Sequence, residues 1–171
     1  LAGRPLRWRT GLYWLSASLA FAAVGLGSQL WRHDPGAGLE RPFLPALVKT
    51  RAASPIPAGR LTTDERCGDC HQDILRQSEG SMHRLSSFNN PAYLFAVRET
   101  REVVLERDGD VQAARLCAGC HDPVPFFSGA FDDPDFDDVG DPTAHAGLTC
   151  TACHAITSVD SVRGNGDYTI E

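Results

Sequence analysis

The sequence predicts a mainly α-helical fold with extensive coil, preceded by one transmembrane helix, and three observations carry that expectation. Residues 10–31 hold no charged side chain and are rich in Leu, Ala, Phe, Val and Gly. Beyond them, helix start signals recur while no alternating polar and apolar run of useful strand length appears. The apolar residues are concentrated in the first thirty positions. The remainder, holding most of the 11 Pro of the chain with many Gly and many charges, is a poor supply for a conventional core. Something other than polypeptide must then contribute apolar mass to that second part.

The N-terminal run is preceded by Arg4, Arg7 and Arg9, and Trp8, Tyr13, Trp14 and Trp31 lie near its ends. Its length matches the roughly 20 residues that cross a bilayer, and aromatic side chains suit the interfaces. Residues 1–31 are therefore expected to be a retained anchor, with the arginines holding the N-terminus in the cytoplasm. A cleaved signal peptide is the competing reading, because Ala20-Phe21-Ala22 has the small-x-small form of a cleavage site. Both readings export everything after Arg32 to the periplasmic side of a bacterial inner membrane. The chain starts at Leu1 and stops within Asp167-Tyr168-Thr169-Ile170-Glu171, which looks like the start of an element, so a fragment truncated at its C-terminus is expected.

Residues 32–60 carry Pro35, Pro42, Pro45, Pro55 and Pro57 among Gly and Ala without sustained periodicity, the pattern of a semi-extended linker. The globular domain is then expected over 61–171. Thr62 or Thr63 can cap a helical turn, with Asp64 and Glu65 at its positive end. A clearer start follows at Asn90, with Pro91 at the first helical position and an apolar run towards Arg107, broken by Asp108-Gly109-Asp110. Residues 111–116 should form a short helix, and 132–141 an acidic loop. The formal charge of −6 excludes a generic nucleic-acid binder, which needs a basic face against phosphates.

All six cysteines fall into three copies of one pattern: Cys67-Gly68-Asp69-Cys70-His71, Cys117-Ala118-Gly119-Cys120-His121 and Cys150-Thr151-Ala152-Cys153-His154. Each is C-x-x-C-H, the haem c attachment signature. Two thiols one helical turn apart can each form a thioether with a vinyl group of one porphyrin, and the adjacent His then sits beneath the iron as proximal ligand. Zinc knuckles, redox dithiols and disulfides share the C-x-x-C spacing. With 6 His in 171 residues, however, chance placement behind all three pairs has odds on the order of one in twenty thousand, which favours haem. Three covalent haems would supply the missing apolar mass, with His71, His121 and His154 as proximal ligands.

A low-spin carrier needs a second axial ligand on each iron. His83 follows His71 by 12 residues, about 18 Å if helical, too far to fold back on the same haem unless Gly80 breaks the stretch. It is a candidate distal ligand to some haem. His145 is the other, in a stretch that Gly147 lets bend tightly, and it should serve a haem other than the one attached just after it. His33, beside Arg32 and Asp34, reads as a solvated interfacial residue, and Met82 as a core filler rather than a ligand. That leaves at least one iron without an evident sixth ligand in these residues. The acidic run Asp132, Asp133, Asp135, Asp137 and Asp138 fails the EF-hand pattern and reads as a solvated loop. Phe126, Phe127, Phe131 and Phe136 around it are expected to cover haem edges.

From Leu61 onward the chain resembles the multihaem cytochromes related to tetrahaem cytochrome c and hydroxylamine oxidoreductase. The likeness rests on Cys67 to His71 followed by Ser81-Met82-His83, then Cys117 to His121 with Asp122-Pro123, then Gly147-Leu148-Thr149 before Cys150 to His154, trailed by Gly164-Asn165-Gly166-Asp167-Tyr168. It implies bis-histidine haems in stacked and edge-on pairs, with His83 and His145 as distal ligands. This sequence has three motifs rather than four, and it lacks the C-x-x-C-K motif of pentahaem nitrite reductases. The expected activity is electron transfer between redox partner proteins, with other cytochromes or a quinol-linked donor as partners. The alternative is a redox enzyme acting on a small nitrogen or sulfur compound at an incompletely ligated haem.

Overall fold

The computed structural model describes residues 13–14, 16–24, 41–162 and 164–171. The chain divides into two units, Leu1–Ala37 and Gly38–Glu171. In the first, residues 13–14 and 16–24 are helical, with Leu19, Phe21 and Val24 exposed. Among the described residues no helix is long and apolar enough to cross a membrane. The rest of the expected membrane segment, 10–31, and His33 lie outside the described residues.

The second unit is built on short helices and one long one. After strand β1 (Lys49–Thr50) come α1 (Ala58–Leu61), α2 (Asp64–Gly68) and α3 (Gln72–Glu79), then the long α4 (Pro91–Asp108). A 3-10 turn (Gln112–Ala114) leads into α5 (Arg115–His121), followed by α6 (Pro123–Ser128), a second 3-10 turn (Ala130–Asp132) and α7 (Cys150–His154). Strands β2 (Ile156–Val159) and β3 (Tyr168–Ile170) close the chain.

Helix α4 starts where its capping residues dictate. The Asn90 side-chain oxygen accepts from the N–H groups of Ala92 at 3.0 Å and Tyr93 at 3.2 Å, with Pro91 at the first position. Gly109, at φ +81°, ends it in the left-handed conformation. Val97, Arg101 and Val104, spaced four and three residues apart, form its buried stripe. Helix α2 does start after Thr63, but the Thr63 hydroxyl makes no cap and meets the Thr151 hydroxyl instead.

A three-stranded sheet in the order β1-β3-β2 joins the two ends of this unit. β1 runs parallel to β3, with Lys49 opposite Thr169, and β2 runs antiparallel to β3. Lys49 is only 1% exposed, and its Nζ lies 2.9 Å from Asp160 Oδ2 and 3.5 Å from Asp167 Oδ1.

Two expectations change. Residues 41–60, read as part of a linker, are packed into the domain: Phe43, Ala46 and Val48 belong to the same buried cluster as Val97 and Val124. Proline density marked this segment as extended, and the few large apolar residues between the prolines anchor it. The phenylalanines also differ from expectation. Phe126, Phe127 and Phe131 are fully buried in the polypeptide's own core. Phe43 packs on Phe126 at 5.0 Å and edge-on against Phe127 at 5.6 Å, while Phe88 packs on Phe136 at 5.4 Å and Phe131 at 6.2 Å. The chain therefore assembles an apolar centre from rings, with the Arg101 guanidinium 4.6 Å over the face of Phe131.

Candidate functional site

The three motifs present their groups in one repeated way. Each motif lies on or at the end of a short helix: Cys67 in the last turn of α2, Cys117 to His121 within α5, and Cys150 to His154 as the whole of α7. In each, the first cysteine is half-buried while the second cysteine and the histidine are exposed. All six thiols are free. Among the described residues no group of three or more His, Cys, Asp or Glu side chains converges to hold a metal ion.

At the second motif the histidine is held from two sides. His121 Nδ1 lies 2.8 Å from the Ser86 carbonyl oxygen, so Nδ1 carries the proton and donates it. The lone pair is thereby left on Nε2, the nitrogen that faces away from this bond. The ring of Tyr93, in the first turn of α4, stacks on the imidazole at 4.2 Å and 13°. The Tyr93 hydroxyl donates to Asp122 Oδ2. Asp122 is completely buried, and the Ser87 hydroxyl sits between its other oxygen and the Ala144 carbonyl at 2.7 Å. Burial pushes the Asp122 carboxyl up to about 6, against the lowering effect of these two hydroxyls and of His121. Burial, and then the neighbouring Asp122 charge, raises the Tyr93 phenol well above its ordinary range.

The first and third motifs share one cleft of about 490 Å3, lined by Cys67, His71, Ile74, Leu75, Cys150 and His154 among others. That volume falls within the range of cofactor sites. The Cys150 backbone N–H donates to Asp64 Oδ1 at 2.8 Å, and the hydroxyls of Thr63 and Thr151 meet beside it, so α2 and α7 are pinned together. Burial, then the Asp64 carboxylate, pushes the Cys150 thiol up to about 11. Ile74, on the cleft wall, leaves over half of its surface exposed, at 56%.

No family model, no curated protein and no solved structure matches the chain. The likeness to multihaem cytochromes therefore stands on its motifs and on whether the residues fit the group. They do fit: three pairs of free thiols are each followed by an exposed imidazole, one of those imidazoles is locked with Nε2 available, and the first cysteine and the histidine of two motifs open onto an apolar cleft.

The candidate distal histidines lie close together along the backbone. Leu148 N–H donates to the His83 carbonyl at 2.9 Å, and the Arg84 guanidinium donates to the carbonyls of His145, at 2.7 Å, and Ala146. Both histidines are exposed. His145 Nε2 lies 3.2 Å from the Asp138 carbonyl oxygen, so iron ligation through that nitrogen requires this bond to open. Met82 is exposed at 70% rather than filling the core. Sequence reasoning missed Ser86, Tyr93 and Asp122. The signals were present, since Tyr93 sits in the first turn of a strongly capped helix and Asp122 directly follows the motif histidine.

Proposed function

We propose that the chain is an exported multihaem c-type cytochrome, tethered to a membrane, that transfers electrons through three covalently bound haems between redox partner proteins. Other cytochromes or a quinol-linked donor are the partners that suit it. The observation that carries the reading is the threefold recurrence of C-x-x-C-H with its second thiol and its imidazole turned outward. A zinc site would instead draw thiols together, and the described residues contain no such convergence. The uncharged segment 10–31 supports the tether and the export that c-type attachment needs.

When bound, each haem would supply a one-electron iron couple. The residues of the chain do the rest. Cys67 with Cys70, Cys117 with Cys120, and Cys150 with Cys153 would hold the groups by thioethers, and His71, His121 and His154 would ligate from the proximal side. His83 and His145 are the candidate distal ligands. The Asp64 and Thr63 contacts to α7 keep the first and third motifs at one cleft, so the two groups held there would be neighbours.

The test is the haem count of the full chain matured in a host with c-type attachment machinery. Three haems per chain by pyridine haemochrome assay, with a mass to match, is the expected outcome. A colourless product with the mass of bare or zinc-loaded polypeptide overturns it. One observation favours a second reading, a redox enzyme with an open haem: the two candidate distal histidines number fewer than the three irons, and His145 Nε2 already has a partner. A high-spin, cyanide-binding EPR component in the same sample would select that reading, and low-spin signals alone would select the carrier.

A further inference from the structure

We propose that Tyr93, anchored by Asp122, is a positioning residue for His121: it sets the rotation of that imidazole and thereby the redox potential of the second site alone. This inference rests on the haem reading above. A hydrogen bond from Nδ1 to the Ser86 carbonyl fixes the tautomer and one direction in the ring plane, but it leaves the imidazole free to rock about that line. A parallel ring at 4.2 Å and 13° removes the rocking. Tyr93 can act as such a plate only if its own ring is fixed, and two contacts fix it. Its backbone N–H is held by the Asn90 cap, and its hydroxyl is held by a carboxylate with no solvent exposure.

The orientation of an axial imidazole relative to the porphyrin controls the splitting of the iron d orbitals. Groups beside a ligating histidine tune the metal in the same way. Among the described residues, His121 alone of the three motif histidines has an aromatic stack. The device is therefore specific to one site.

The test uses the full haem-loaded chain. Low-spin ferric EPR reports imidazole orientation through its largest g value, and potentiometry reports the midpoint potentials. Tyr93→Phe keeps the plate but frees it from Asp122, and Tyr93→Leu removes the plate as well. The expected result is three haems per chain, with one EPR signal and one potential displaced in Tyr93→Phe and displaced further in Tyr93→Leu, the other two signals and potentials staying in place. Signals and potentials equal to those of the unmodified chain in either variant overturn the proposal. Loss of haem, or displacement of all three signals, in both variants also overturns it, because Tyr93 would then serve the fold. Where Tyr93→Leu alone loses haem, Tyr93→Phe decides. An unmodified chain that holds no haem removes the underlying functional reading, whereas three haems with unmoved variants removes this inference only.

Discussion

Gly147 shows how much of the candidate site hangs on single residues. Its φ of +63° lies in the left-handed region, and a Cβ there would run into the carbonyl oxygens of Arg84 and, at 2.8 Å, His83. The two segments that carry His83 and His145 touch at this point, tied by the Leu148 N–H and the Arg84 guanidinium. The sequence suggested a tight bend at Gly147, because Gly in a turn-rich stretch permits one, but the backbone it bends around was not legible. Such a long-range approach has no local signature. Gly147→Ala should therefore destabilise the domain by about 2 kcal/mol or more, the strain of a forced positive φ plus the displacement of two carbonyls. A urea midpoint equal to that of the unmodified chain would contradict this.

At the scale of elements, legibility followed the length of the signal. Helix α4 was readable from Asn90, Pro91 and Gly109, since each end has a local chemical cause. The sheet was not, because strands of two, four and three residues are too short to show a period, and β1 pairs with β3 across most of the domain. Besides its backbone ladder, that sheet carries the buried Lys49, placed between Asp160 and Asp167. Removing one member of a buried ion pair leaves the others uncompensated, so Lys49→Met should cost about 3 kcal/mol at neutral pH. The pH dependence has a definite sign. The Lys49 ammonium, 2.9 Å away, holds the Asp160 carboxyl below its ordinary value, so its contribution is present above the unfolded carboxylate range and is lost as pH falls through the lowered folded value. Thermal midpoints should consequently drop for the unmodified chain below about pH 4. The gap between the chain and Lys49→Met should narrow over the same interval, and a gap that widens on acidification would refute the assignment.

For the whole molecule, the sequence undercounted what the polypeptide could bury by itself. Phe43, Phe88, Phe126, Phe127 and Phe131 are scattered over some ninety positions, and no window of sequence reveals that they meet in one core. The motifs, by contrast, were legible because C-x-x-C-H is complete within five residues, while the partnership of the first motif with the third depends on tertiary contact. That partnership has a consequence for haem loss. On the proposed reading, Cys67→Ala/Cys70→Ala would leave the first site unable to attach its haem, and α2 would lose the body it lines the cleft for. Because Asp64 accepts the Cys150 N–H and Thr63 meets Thr151, the disturbance should pass directly into α7. It should stop short of His121, whose restraints come from Ser86, Tyr93 and Asp122. The expected outcome is two haems per chain, with the EPR signal of the third site shifted and that of the second unchanged. Assignment comes from the parallel variant Cys117→Ala/Cys120→Ala, which removes the second signal instead. If both remaining signals in the first variant match those of the unmodified chain, the common cleft does not couple the two sites, and each haem is held by its own motif alone.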